Sequence, residues 1–278
     1  APGLLSGRRA LITGGGTGLG RAIARRYLQL GARIAICGRR LAVLEETAAA
    51  LRAEIPGADI AVYACDIRDA AAVEAMLDTV FAEGAPDILV NNAAANFLAQ
   101  THRLSARALD AVLATTLHGA AYCTMGVGRR WIEAGQPGVV LSILTLSALQ
   151  GAAFTVPSAM AKAGVLAMTQ SLAVEWGRHG IRLVAIAPGT FPTEAAVARL
   201  RPGGLDHGDV PLNRAGKHEE LTDLAAYLVS ENAGYITGEC VVIDGGRRYL
   251  GGARAGVREM LGWDDAAWEK QREKTPKK

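Results

Sequence analysis

The sequence predicts an α/β fold: a single domain built on a doubly wound, seven-stranded parallel sheet. Two features of the pattern lead there. Short apolar segments alternate along most of the chain with longer segments of helical spacing. The apolar segments are continuous runs and not alternations, which is how strands read when helices cover both faces of a parallel sheet. A third feature is local. Thr13-Gly14-Gly15-Gly16-Thr17-Gly18-Leu19-Gly20 falls between the first strand and the first helix, where a Rossmann-like sheet turns its chain against a phosphate.

In chain order, Arg9–Thr13 is the first strand and Gly20–Leu30 the first helix. Arg33–Cys37 and Asp59–Cys65 are the next strands, followed by the helices Leu41–Ile55 and Ala70–Ala82 respectively. After the fourth strand, Ile88–Asn91, two separate helices are expected over Ala106–Thr116 and Ala120–Ala134. Gly138–Ile143 is the fifth strand and Ser158–Arg178 a long helix. That helix is apolar on more than one face (Val165, Leu166, Met168, Leu172, Val174, Trp176), so part of it should bury against another subunit. Ile181–Ala187 and Cys240–Ile243 complete the sheet, with right-handed crossovers. Residues 189–217, rich in Gly and Pro, are expected to make an excursion of loop and helix over the site. The domain is expected over 1–250. An extension over 251–278 carries Trp263 and Trp268 and ends in a short helix.

With 278 residues, half of them hydrophobic, the chain can bury one large core, and no linker divides it. A net charge of +3 from scattered basic residues gives no reason to expect nucleic acid or a membrane surface as partner. Aromatics, at 5%, are too few for base-stacking platforms. No apolar run approaches the roughly 20 residues of a membrane span. Cys37, Cys65, Cys123 and Cys240 are widely spaced in apolar contexts and form no Cys/His cluster. They read as reduced and buried, with no metal. The Ala- and Arg-rich composition suits a GC-rich bacterium. The expected compartment is the bacterial cytoplasm, or the mitochondrial matrix if a transit peptide has been removed.

The glycine-rich turn implies a dinucleotide. Glycines there let the turn close and let backbone approach a pyrophosphate, which meets the positive end of the first helix. Gly14, Gly16, Thr17, Gly18 and Leu19 are the residues expected to line it, with Gly20 closing the turn. The second strand ends in Cys37-Gly38-Arg39-Arg40, with no acidic residue to take a ribose 2′-hydroxyl. A guanidinium at Arg39 suits a 2′-phosphate and an adenine face, so NADP is the expected cofactor. Asp66 suits the adenine edge, and Asn92 and Ala93 the ribose and the backbone beneath it.

With these residues in view, the chain resembles the short-chain dehydrogenase/reductase family. Thr13–Gly20, Asn91-Asn92-Ala93, Lys162 and Pro188-Gly189 match its pattern in order over nearly the whole length. The resemblance implies that Pro188, Gly189, Thr190 and Phe191 underlie the nicotinamide half and that Lys162 holds the nicotinamide ribose. A narrower resemblance, to the NADPH-dependent 2,4-dienoyl-CoA reductases of mitochondrial type, rests on longer stretches. These are Asn92–Phe97, Val156–Ala159, Ala161–Val165, Ala173–Gly177, Asp244-Gly245-Gly246 and the tryptophan-bearing tail. It implies reduction of a conjugated dienoyl thioester, acyl-CoA contacts at Arg39, Arg68, Phe97, Ser105 and Arg199, and a homotetramer.

The same resemblance raises the main question about chemistry. Most of the wider family has tyrosine where this chain has Ser158, but the dienoyl-CoA reductases carry serine there. Their own tyrosine falls on Ser147, a departure of this chain. The implied catalytic set is Asn96 and Ser147 on the thioester oxygen, with Lys162. A serine hydroxyl donates the same hydrogen bond but is far less acidic than a phenol. Three functions therefore stay open: a dienoyl- or enoyl-CoA reductase working without the tyrosine, a non-catalytic NADP- and acyl-CoA-binding homologue serving as partner subunit or sensor, and a carbonyl or hydroxyacyl reductase of the wider family.

Overall fold

The computed structural model describes residues 3–193, 197, 210–250 and 257–273. Its centre is a seven-stranded, wholly parallel sheet in the order β3-β2-β1-β4-β5-β6-β7. The strands are β1 (Arg9–Thr13), β2 (Arg33–Gly38), β3 (Ile60–Ala64), β4 (Ile88–Asn91), β5 (Gly138–Ile143), β6 (Ile181–Pro188) and β7 (Cys240–Ile243). The helices are α1 (Gly18–Gln29), α2 (Leu41–Glu54), α3 (Ala70–Ala82), α4 (Ala106–Leu113), α5 (Gly119–Glu133), α6 (Ser147–Gln150), α7 (Val156–Trp176) and α8 (His218–Val229). Towards the C-terminus come α9 (Arg247–Leu250), α10 (Val257–Met260) and α11 (Asp265–Glu273).

Alternate residues of each strand feed two cores, which is why the strands read as unbroken apolar runs. Ile12, Ile36, Val90, Leu141 and Ile186 pack with Ile23 and Tyr27 of α1, Leu44 of α2 and Leu221 of α8. Leu11, Ala35, Leu89, Val140 and Leu183 pack on the other face with Leu77 of α3, Val127 and Trp131 of α5 and Trp176 of α7. β1 pairs with both β2 and β4, so the winding reverses between β1 and β4. A ligand crevice belongs at the carboxyl ends of those two strands.

Three expectations are corrected. The two helices expected between β4 and β5 are one continuous rod, because a π turn over Ala114–His118 joins α4 to α5. Gly119 is no breaker there: it lets the rod press on Ile67, whose Cδ1 would lie 2.6 Å from any Cβ at that position. Second, α8 was not foreseen. It is the crossover that a parallel β6–β7 pair requires. Its exposed Glu219 and Asp223 sit beside the buried Leu221, Ala225 and Leu228, and its start is fixed by the Lys217 N–H donating to Glu220 (2.8 Å) and by the Arg214–Glu220 ion pair (2.7 Å). Third, Cys240 is only half-buried, because β7 is an edge strand; Cys37, Cys65 and Cys123 are buried as expected. The expected tail helix is present as α11, with Trp263 and Trp268 in edge-on contact, ring centroids 4.9 Å apart.

Candidate active site

A cavity of about 630 Å³ opens at the strand ends and runs from the glycine-rich turn to Lys162. Its first half is made of backbone. Thr13 closes β1, and its Oγ1 accepts the N–H groups of Asn92 (3.0 Å) and Ala93 (3.1 Å) while donating to the Val90 carbonyl. Asn92 returns the contact, its Nδ2 donating to the carbonyls of Thr13 (3.0 Å) and Gly14 (3.3 Å). These bonds clamp the turn to β4. A Cβ on Gly20 would overlap the Gly14 carbonyl oxygen and stand 2.5 Å from Asn92 Nδ2, so this clamp needs glycine. Thr17 precedes α1 without capping it through its side chain, which leaves the first-turn N–H groups for a ligand.

All five residues expected at the turn line the cavity, as do Arg39, Asp66, Asn92 and Ala93. Gly38 and Arg40 join them, and no acidic side chain follows β2. Asp66 is bridged by Arg68, whose Nε stands 2.9 Å from Oδ1. That bond holds the Asp66 carboxyl below its ordinary value and turns Arg68 out of the cavity wall. A narrow glycine turn and helix-terminal N–H groups left for a ligand fit a dinucleotide.

The second half is made of side chains. Lys162, on α7, is buried, and its Nζ donates to the carbonyl of Ile143 at the end of β5. Burial lowers its pKa to about 8. Ser158, just over one turn earlier, is buried too and shares the wall. Asn96 lies on the loop after β4. Its Oδ1 accepts the Phe97 N–H at 2.9 Å, which commits the carboxamide oxygen and leaves the NH₂ as the available donor. From the loop after β5, Thr145 enters the wall and Ser147 does not; the two hydroxyls are hydrogen-bonded to each other. Thus Asn96 and Lys162 both line the cavity, and Ser147 touches it only through its bond to Thr145. The lining among the described residues contains no tyrosine, histidine or glutamate, and Asp66 is its carboxylate.

Other expected contacts are more scattered. Phe97 is half-buried beside Asn96 but outside the lining, and Ser105 caps α4, its Oγ accepting the Ala108 N–H at 3.2 Å. Phe191 lines the cavity. Pro188 ends β6, Gly189 donates to the Ile243 carbonyl at 2.8 Å, and Thr190 accepts from Arg247 at 3.0 Å, so these three hold the loop that presents Phe191. Arg199 lies outside the described residues. Thr145, Ser158 and Thr115 were not on the expected site list. Thr145 had a signal, its place thirteen residues before Ser158. Thr115 is brought to the wall by the π turn, which no residue pattern announces. His118 is exposed, next to Tyr122 and away from the cavity.

Comparison with known proteins accords with this geometry. A family profile described as enoyl-(acyl carrier protein) reductase matches residues 14–248. The chain belongs to the short-chain dehydrogenase/reductase family. It is 44% identical over 276 residues to an uncharacterized oxidoreductase of Caenorhabditis elegans, covering 96% of this chain and 88% of the relative. A probable 2,4-dienoyl-CoA reductase of the same organism, named as (3E)-enoyl-CoA-producing, is 38% identical with the same coverage. Among solved structures, a gluconate 5-dehydrogenase from Burkholderia cenocepacia in complex with NADP and tartrate superposes with a TM-score of 0.82 at 32% identity, covering 88% of this chain and 96% of that one. The protein is therefore an oxidoreductase of this family, with relatives named for dienoyl-CoA reduction.

Proposed function

We propose that this oxidoreductase uses NADPH to reduce a conjugated 2,4-dienoyl-CoA, or a simple enoyl-CoA, thioester. The observation that carries the proposal is the make-up of the reaction end: Asn96, Thr145, Ser158 and Lys162 share one wall that, among the described residues, holds no phenol. A carbonyl reductase of the family would need an acid at Ser158, and serine is not one. Dienoyl reduction first needs donors for a developing oxyanion, which a carboxamide and a hydroxyl can provide. Arg39 and Arg40 in the lining, the missing acid after β2 and an NADP-bound structural neighbour support the choice of cofactor.

NADPH, when bound, supplies the hydride, which adds to C5 of the dienoyl chain. The electron pair displaced through the conjugated system collects on the thioester oxygen, where the Asn96 NH₂ and the Thr145 hydroxyl donate to it. Collapse of that dienolate takes one proton at C2 and yields the 3-enoyl thioester. The hydroxyl pair Thr145–Ser147 relays that proton from solvent. Lys162 Nζ would hold the nicotinamide ribose. A homotetramer is part of the proposal. The outward row of α7, with Met160, Ala163, Ala167 and Val174 exposed, supports contact with a second copy.

The test is NADPH oxidation with 2,4-hexadienoyl-CoA. Slow but measurable turnover is expected. Binding of both ligands without oxidation at any pH would sink the catalytic proposal and favour the non-catalytic binding homologue, for which the absence of any phenol from the wall already speaks. In that event Ser147→Tyr should create activity where there was none.

A further inference from the structure

We infer that Leu98, Leu149 and Phe154 form a landing for the apolar tail of the acyl group, so that the enzyme selects medium and long chains over short ones. The inference rests on the thioester substrate proposed above and adds the part of the substrate that the cavity does not hold. Two loops carry the reaction end, and both lead outward into apolar side chains. Two residues beyond Asn96 comes Leu98. Beyond Thr145 the chain enters α6, which carries Leu149, and leaves it towards Phe154. The loops are tied by a hydrogen bond from the Ala99 N–H to the Phe154 carbonyl (2.9 Å), so the three side chains belong to one lip. They are 43%, 45% and 59% exposed, respectively. Neither segment, 94–100 or 144–155, contains a charged residue. Such a lip suits a neutral hydrocarbon and offers nothing to the phosphates of coenzyme A.

Phe154 gives the second, independent observation. Its φ is +63°, a conformation that bulky residues rarely adopt; the other such non-glycine among the described residues is Asn213, a type that tolerates it. Glycine would close the same turn without strain. A strained phenylalanine with its ring in solvent makes sense when the ring has something to meet. With the thioester oxygen at Asn96 and Thr145 and the conjugated carbons beside them, a longer chain that follows either of these loops outward meets this lip.

The experiment compares six- and ten-carbon 2,4-dienoyl-CoA substrates on the wild type, Phe154→Gly and Leu149→Ala. Phe154→Gly removes the ring and relieves the backbone, so folding is not at risk. The expected result is a kcat/KM ratio of about 10 or more in favour of ten carbons in the wild type, since each fully buried methylene is worth roughly fourfold. Phe154→Gly should bring that ratio towards 1, and Leu149→Ala should lower it part of the way. A ratio that is flat in the wild type, or unchanged in both variants, overturns the tail site, and so does a variant that changes the oligomeric state and leaves the ratio alone, which would make the lip a subunit contact. If neither substrate turns over, the reduction proposal fails separately. The tail site is then read by calorimetry of saturated hexanoyl- and decanoyl-CoA on the NADP complex, with the same ratio expected. Equal affinity for the two, or no binding of either, overturns it.

Discussion

At the nucleotide end the cavity wall is mostly backbone, and at the reaction end it is mostly side chain. Thr13, Asn92 and the glycines hold one another through carbonyls and N–H groups, so the shape of that half follows from where the chain can pass. The reaction end depends on which functional groups Asn96, Thr145, Ser158 and Lys162 carry. The first half can be kept while the chemistry of the second is exchanged. That fits a chain that shares its fold with a gluconate dehydrogenase while the described residues of its own cavity wall include no phenol.

The contrast can be broken most severely from the backbone side. Gly20→Ala forces a Cβ into the Gly14 carbonyl, and because backbone cannot swing aside the turn must open. NADPH affinity should fall by about 100-fold or more, read by fluorescence titration. Retained affinity would show that the clamp is softer than described. On the side-chain side, Asn96→Ala removes one oxyanion donor. It should lower kcat by roughly 10²-fold with little change in NADPH affinity; equal losses in both would make Asn96 part of the nucleotide end.

A finer cut separates the two hydroxyls. Thr145→Val should cost about 10-fold or more in kcat, and Ser147→Ala less, because Ser147 acts through Thr145. In the double variant the second loss should nearly vanish, as expected for residues working in one chain. Additive losses would mean that Ser147 reaches the substrate by itself. The smallest effect concerns stability. Lys162 has a pKa of about 8 in the folded protein against an ordinary 10.5. Between those values the unfolded chain holds a proton that the folded one has released, so this residue's contribution to stability rises with pH across that window and is flat on either side. Lys162→Met should be the more thermostable protein at pH 7, with the gap in Tm closing as pH rises from 8 to 10. A constant gap would mean that the ammonium is solvated.

Much of the fold was legible because buried parallel strands leave unbroken apolar runs, and the turn before α1 was legible because its geometry demands glycine. α8 escaped although its pattern is legible, with Leu221, Ala225 and Val229 buried four residues apart and Glu219, Asp223 and Tyr227 exposed on the other face. The continuity of α4 with α5 escaped because a π turn has no residue signature. At the site, Asn96 and Lys162 could be named from motif, since each occupies a fixed place relative to β4 and α7. Ser147 could be named but not its place outside the lining: which of two hydroxyls two residues apart faces a cavity depends on how α6 begins, and Thr145 and Ser147 are alike in chemistry.

Cys37, Cys65 and Cys123 lie in one core beneath the Arg39 end of the cavity. Burial pushes the Cys65 thiol up to about 11 and Cys123 to about 12, and raises Cys37 well above its ordinary value. At neutral pH almost no thiolate exists on any of them, so alkylating reagents must wait for the strand ends to part. The three sulfurs therefore act as a built-in clock. Their labelling times, Cys123 last because Cys37 and Cys65 line the cavity and it does not, measure how often the sheet opens and how far a bound nucleotide holds it shut.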